Sequence, residues 1–246
     1  MKKNTELCFN DFKKMAKNNS LSLNEKIGFP NSYRDGFEKV IIEDISKKLD
    51  LDIYSNLNVL DIGCGCSTMT RKFIKYCLTR KQNLSLIDST EMLDQLPKTN
   101  IKKYPGYFPD MPLFIRKYKG KFDRIIVYSV LHYIFFEGNV FSFIHQALDL
   151  LKSGGKLLIG DIPNISKKKR LLNSKEGLAF KKNYKKAMKD IGNTHIHAEN
   201  EIRIDDSLVF SLMIRFRNFE CETYLFPQPS DLPMANRRED ILIVKR

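Results

Sequence analysis

Short apolar runs rich in Val, Ile and Leu alternate along this chain with longer segments in which apolar residues recur every three or four positions. The runs predict strands at 58–63 (NVLDIG), 83–88 (NLSLID), 100–106, 121–130 (KFDRIIVYSV), 156–162 (KLLIGDI), 221–227 (CETYLFP) and 238–246 (REDILIVKR). Helical spacing predicts helices through 68–79, 141–152 and 205–219; in the last, Asp205 or Asp206 is the N-cap and Leu208, Leu212 and Phe216 share a face. The glycines of SGG at 153–155 are expected to cap the helix before them in the left-handed conformation. Strands alternating with helices are the pattern of a parallel sheet covered on both faces. Only the loop QPSDLPMAN joins the last two strands, which leaves no room for a crossover helix and predicts an antiparallel pair. The expected fold class is therefore α/β: a doubly wound, seven-stranded sheet with an antiparallel terminal strand.

The alternation divides the 246 residues, read as a single domain, into four parts: an N-terminal helical cap (1–50), a core (51–164), an insertion after the fifth strand (165–203), and a C-terminal helix with the final strand pair (204–246). The insertion is too long for an ordinary connection and reads as a lid. It is also where charge gathers. The chain carries a net +13, and between 165 and 200 ten lysines and arginines face three acids. Such a field attracts nucleic acid, anionic headgroups or phosphorylated small molecules, and a lysine-rich composition accounts for it equally well. No apolar run approaches the roughly 20 residues of a membrane-spanning helix. The N-terminus has no apolar secretion core, so a cytoplasmic protein is expected.

Candidate chemistry centres on VLDIGCGCS at 59–67, at the first strand-to-helix turn. Gly63 and Gly65 adopt backbone angles closed to other residues and let the chain approach a ligand, while Ser67 caps the next helix. Asp88 ends the second strand, where a carboxylate accepts from the two hydroxyls of an adenosine ribose. The five cysteines, Cys8, Cys64, Cys66, Cys77 and Cys221, are odd in number and lack paired spacing, as suits reduced thiols, and a CxC pair cannot complete a four-ligand site. His195 and His197, followed by Glu199 and Glu201 at a two-residue period, either hold a divalent metal or repeat by chance; no metal is expected.

These motifs resemble those of the class I S-adenosylmethionine-dependent methyltransferases. VLDIGCGCS looks like their first motif, LIDSTEML their second, FDRIIVYSVLHYI their fourth, and LLKSGGKLLIGDIP the segment around their fifth strand. The resemblance covers about Asn56 to Asp161 and implies a Rossmann-like fold, S-adenosyl-L-methionine as cofactor and S-adenosyl-L-homocysteine as product. It implies cofactor contacts for Asp61, Gly63, Gly65, Asp88, Ser89 and Ser129, and for Tyr33 and Arg34 beside the cofactor's carboxylate, Arg34 being otherwise a surface residue. It places His132 and Tyr133 beside the methyl-bearing sulfur, His132 as base or as orienting group and Tyr133 as wall or hydrogen-bond donor. Ser67 stands where a third glycine is common, and PGYFPD lacks the acid that often follows the third strand and binds the adenine amine; that contact falls to the backbone of Gly106–Phe108.

Methyl transfer from a sulfonium is an in-line displacement governed by positioning. A strand-end NPPY would have marked a nucleobase methyltransferase; YSVLHY stands there instead. The segments NSLSLNEKIGFPNSYRDG and LPMANRREDILI are similar to those of methyltransferases of bacterial capsule and lipopolysaccharide assembly, some suspected of methylating a phosphoramidate. That resemblance implies a small anionic acceptor, with Arg237, Arg238 and Asp161 at its site, although the arginines read equally as exposed charges and Asp161 as a solvated loop acid. An RNA methyltransferase and a non-catalytic S-adenosylmethionine-binding module are the alternatives; oligomeric state is not legible.

Overall fold

The computed structural model describes residues 7–175, 177 and 204–246. Most of the expected basic lid, including His195, His197, Glu199 and Glu201, lies outside the described residues. Among the described residues three α-helices precede the sheet, α1 (Phe9–Lys17), α2 (Leu23–Lys26) and α3 (Glu38–Leu49), with a short 3-10 turn (Asn31–Tyr33) before the last. The core then runs β1 (Asn58–Ile62), α4 (Thr68–Thr79), β2 (Asn83–Asp88), α5 (Thr90–Leu93), β3 (Lys102–Pro105), α6 (Pro112–Tyr118), β4 (Phe122–Tyr128), α7 (Leu131–Glu137), α8 (Val140–Leu150) and β5 (Leu151–Pro163). Helix α9 (Ile165–Leu172), helix α10 (Asp206–Arg217) and strands β6 (Cys221–Pro227) and β7 (Arg238–Lys245) follow.

The seven strands lie in the order β3-β2-β1-β4-β5-β7-β6, with β7 antiparallel to both neighbours, as the short loop before it required. Alternation along the strands sends side chains to two cores. Leu60, Ile125, Val127, Leu157 and Ile159 pack under α6, α7, α8 and α10, whereas Val59, Leu84, Leu86, Ile126 and Leu158 pack under α3, α4 and α5. From β1 the chain proceeds to β2 and β3 on one side, and from β4 to β5 on the other. This places a topological switch point between the carboxyl ends of β1 and β4, where open α/β sheets bind ligands. Among the described residues no helix is long and apolar enough to cross a membrane.

The helix ends follow the side chains available. Ser67, Asn139 and Asp205 each accept a backbone N–H in the first turn of α4, α8 and α10. The expected glycine cap at 153–155 does not end α8. Leu151 leaves the helix in extended conformation because its side chain is fully buried and pairs with Phe122 across the sheet; Gly154, at φ +74°, serves instead an irregularity within β5.

A second irregularity shapes the site. In the β5–β7 pairing Ile159 faces Ile241 and Ile162 faces Glu239, so Gly160 and Asp161 together oppose Asp240. This bulge turns Asp161 inward at φ +59°, and its freed N–H is taken by the Asp240 carboxylate at 2.8 Å. Asp240, fully buried, also accepts from Lys48 Nζ at 2.7 Å, and Lys48 reaches Asp44 at 2.6 Å. Burial pushes the carboxyls of Asp44 and Asp240 above the ordinary value despite that ammonium. Because Lys48 bridges two buried acids, Lys48→Met is expected to lower the unfolding free energy by about 3–5 kcal/mol, measured by urea denaturation; a change under about 1 kcal/mol would mean the acids simply take up protons.

Candidate active site

A cleft opens at the switch point and contains about 980 Å³ of space, part of it continuous with solvent. Its floor is the turn after β1, the end of β2, the loop after β3 and the turn after β4; its roof is Phe9 and Phe12 of α1 with Ile27 and Phe29. The roof is tied down at both ends. Lys13 and Lys17 pair with Glu91 of α5, and Gln95 Nε2 donates to the Ala16 carbonyl at 2.6 Å. On the other side Phe9 N–H donates to Glu137 Oε1 at 2.7 Å and the Phe12 ring meets Tyr133 edge-on.

The glycines behave as their sequence context demands. Gly63 (φ +75°) and Gly65 (φ +63°) are left-handed, and a Cβ on either would come within 2.6 Å of a methyl, that of Val130 or of Ile27. Asp88 locks the turn by accepting the Gly65 N–H at 2.8 Å and the Ser89 N–H at 2.7 Å. Burial raises the Asp88 carboxyl to about 6 against those two bonds, and Asp61, buried below, is raised to about 7 by burial and by the charge of Asp88. Cys64 and Cys66 are buried with their thiols pushed upward by desolvation, Cys66 to about 11. Among the described residues no group of three or more His, Cys, Asp or Glu is placed to hold a metal.

Asp161 organises the opposite end. Its carboxylate accepts from Arg34 Nη2 at 2.8 Å and from Ser129 Oγ at 2.5 Å, with Gln228 Nε2 at 3.3 Å and Arg238 Nη1 at 3.5 Å. Burial works to raise this acid, but Arg238, Arg34 and the Ser129 hydroxyl together hold it well below the usual carboxylate range. The Arg34 guanidinium sits over the Phe29 ring, its Cζ 3.7 Å from the centroid, and also donates to Ser129 Oγ at 2.9 Å. Both bonds use Nη2; Nε and Nη1 make none among the described residues.

Of the residues singled out from sequence, Gly63, Gly65, Asp88, Arg34, Ser129 and Tyr133 line the cleft together. Asp61 and Ser89 lie buried beside them, Ser89 as N-cap of α5. The others are elsewhere. His132 is on α7, buried, its ring 4.1 Å from that of Tyr133 and off the lining. Asp161 is 1% exposed, so it is neither a solvated acid nor a lining residue. Arg238 is buried on Asp161, donating to its carbonyl at 2.8 Å, and Arg237 is buried with its guanidinium over Tyr33, away from the cleft. Gly106, Tyr107 and Phe108, singled out for their backbone, also line the cleft; the sequence reading missed Phe9, Phe12, Phe29 and Glu137 on the walls. Phe9 and Phe12 are one helical turn apart, the single legible signal among them.

The Tyr133 hydroxyl is buried and makes no hydrogen bond among the described residues; desolvation keeps it protonated, against the pull of Arg238 and Arg34. The cleft thus offers a glycine turn, a strand-end carboxylate, a partly engaged guanidinium and one unspent hydroxyl.

No family model matches the chain, and no curated protein matches it by sequence. Solved structures do. It is similar to the plantazolicin methyltransferase BpumL in complex with SAH, with 18% identity, 96% of this chain and 95% of that chain covered and a TM-score of 0.54. It is similar also to magnesium protoporphyrin IX methyltransferase (ChlM) from Synechocystis PCC 6803 with bound SAH, at 13% identity, 97% and 94% coverage and a TM-score of 0.53. A SAM-dependent methyltransferase from Aquifex aeolicus matches at 12% identity, 89% and 95% coverage and a TM-score of 0.54. The likeness establishes the fold: a seven-stranded, Rossmann-like methyltransferase fold.

The raised Asp61 carboxyl has a thermodynamic signature. Between about pH 4, where an unfolded aspartate ionises, and about pH 7, the folded chain holds a proton that the unfolded chain has lost, so this residue's contribution to stability is lost as pH rises through that window. Asp61→Asn removes the titration. The variant is expected to gain stability relative to wild type from pH 4.5 to 7.5 in paired denaturation curves; a constant difference would show that Asp61 ionises normally.

Proposed function

We propose that the chain is an S-adenosylmethionine-dependent methyltransferase acting on a small acceptor. The observation that carries this reading is the joint placement, on one cleft at the switch point, of the Gly63–Gly65 turn, the Asp88 carboxylate locked to it, and Arg34. When bound, the cofactor supplies an electrophilic methyl group on a sulfonium. Everything else falls to the protein.

The two glycines bring backbone close to the nucleoside, and Asp88, ionised above about pH 6, accepts from the ribose hydroxyls. Arg34 and Arg238 share one buried acid, Asp161, which leaves a local surplus of one positive charge, the complement of the cofactor's amino-acid carboxylate. Arg34 presents its unused N–H groups there, stiffened by Phe29. Ser129, left-handed at φ +61°, closes the turn between them. Tyr133 donates its hydroxyl toward the reacting end, and His132, packed behind it, sets the ring's orientation rather than touching the reacting atoms. Among the described residues that wall carries no general base, and catalysis consists of positioning and the exclusion of water by the α1 roof.

The acceptor follows from the wall. Phe12, Phe29 and Tyr133 make it aromatic, while Arg237 and Arg238 point elsewhere, so the described residues favour an acceptor with an apolar body over a compact phosphate or phosphoramidate. The anionic acceptor of cell-surface polysaccharide modification retains the net charge of +13 as its support. A ligand-binding module without turnover would have no use for the buried Tyr133 hydroxyl. The test is S-adenosylhomocysteine release against aromatic, amine, carboxylate and phosphorylated small molecules and total RNA. Turnover is expected with an acceptor of apolar body; cofactor binding without turnover on any of them would reject the enzyme. Asp88→Ala is expected to weaken S-adenosylhomocysteine binding at least about tenfold, the loss of a charged hydrogen-bond acceptor, in calorimetry; unchanged affinity would remove Asp88 from the ribose site.

A further inference from the structure

We propose that Glu137, on α7, reads the exocyclic amine of the cofactor's adenine, doing from the fourth strand's helix what no acid after β3 does here. The proposal rests on the cofactor reading above and concerns how this chain selects the base.

The cleft has a direction. Arg34 and the Tyr133 hydroxyl mark one end, since that hydroxyl lies beside Gly28 and in the field of Arg34 and Arg238. Asp88 marks the middle, and its carbonyl takes the N–H of Gly106, which brings the loop after β3 alongside it. Beyond Gly106 comes Tyr107, whose ring packs 4.7 Å from that of Phe9. Glu137 stands at this far end: it is one helical turn beyond Tyr133 on α7, lines the same cleft and binds the Phe9 N–H. A ligand with its carboxylate toward Arg34 and its ribose on Asp88 projects its base toward Tyr107 and Glu137.

Competing acids are ruled out by position. Asp110, in the loop after β3, and Glu91 of α5 are both off the lining, whereas Glu137, exposed as Asp110 is, stands on it. Glu137 spends only Oε1 on Phe9; Oε2 has no partner among the described residues. A carboxylate accepts and cannot donate, so it favours an amino group over the carbonyl that replaces it in inosine. In the inosine ligand that carbonyl sets one acceptor against another.

The experiment is calorimetric and needs no turnover: S-adenosylhomocysteine and its inosine analogue are titrated into wild type, Glu137→Gln and Glu137→Ala. Wild type is expected to prefer the adenine ligand by at least about tenfold, from one charged hydrogen bond gained and one repulsion avoided. In Glu137→Gln, whose amide both donates and accepts, the preference should shrink to about threefold or less. Equal weakening of both ligands by Glu137→Ala, with the preference intact, would reduce Glu137 to an anchor of the roof and overturn the proposal. So would an unchanged preference in Glu137→Gln. Failure of wild type to bind S-adenosylhomocysteine at all would instead reject the cofactor reading, a result distinct from both.

Discussion

The Asp161 carboxylate is the interaction on which the site depends. A buried acid is costly unless its charge is answered, and here the bulge in β5 aims it where Arg34, Ser129, Arg238 and Gln228 converge. Each partner comes from a different element: the segment before α3, the turn after β4, the start of β7 and the end of β6. Satisfying one carboxylate therefore fixes how the N-terminal segment, the parallel sheet and the antiparallel pair meet. Asp240 and Lys48 extend the same chain of charge down to α3, where two acids meet one cation.

Much of this fold was legible because its signals are local. Strand boundaries, the glycine turn, the Asp205 cap and the antiparallel final pair follow from periodicity, turn chemistry and loop length, each confined to a dozen residues. The misreading of 153–155 has the same origin: glycine signalled a helix stop locally, but burial of Leu151 against Phe122, a contact across the sheet, decided where α8 ends.

The site was legible in halves. Gly63, Gly65 and Asp88 sit in motifs, whereas the roles of Asp161, Arg237 and Arg238 hang on which way a side chain points, and the direction of Asp161 is set by a one-residue bulge that leaves no mark in composition. The walls of Phe9, Phe12 and Glu137 come together from opposite ends of the first 140 residues. A high net charge suggested an anion-binding pocket, yet Arg237 and Arg238 fold away from the cleft and Arg34 shares its charge with a buried aspartate: charge counted along a chain does not say which charges remain unspent after folding.

The space that a Cβ on Gly63 or Gly65 would occupy is filled by Val130 and Ile27, not left open for a ligand. The turn is accordingly held in shape by its own neighbours, and its conformational entropy is surrendered when the chain folds rather than when a molecule arrives. Association then retains more of its contact energy, and affinity for whatever ligand the turn meets becomes a property inherited from hydrophobic packing behind the loop.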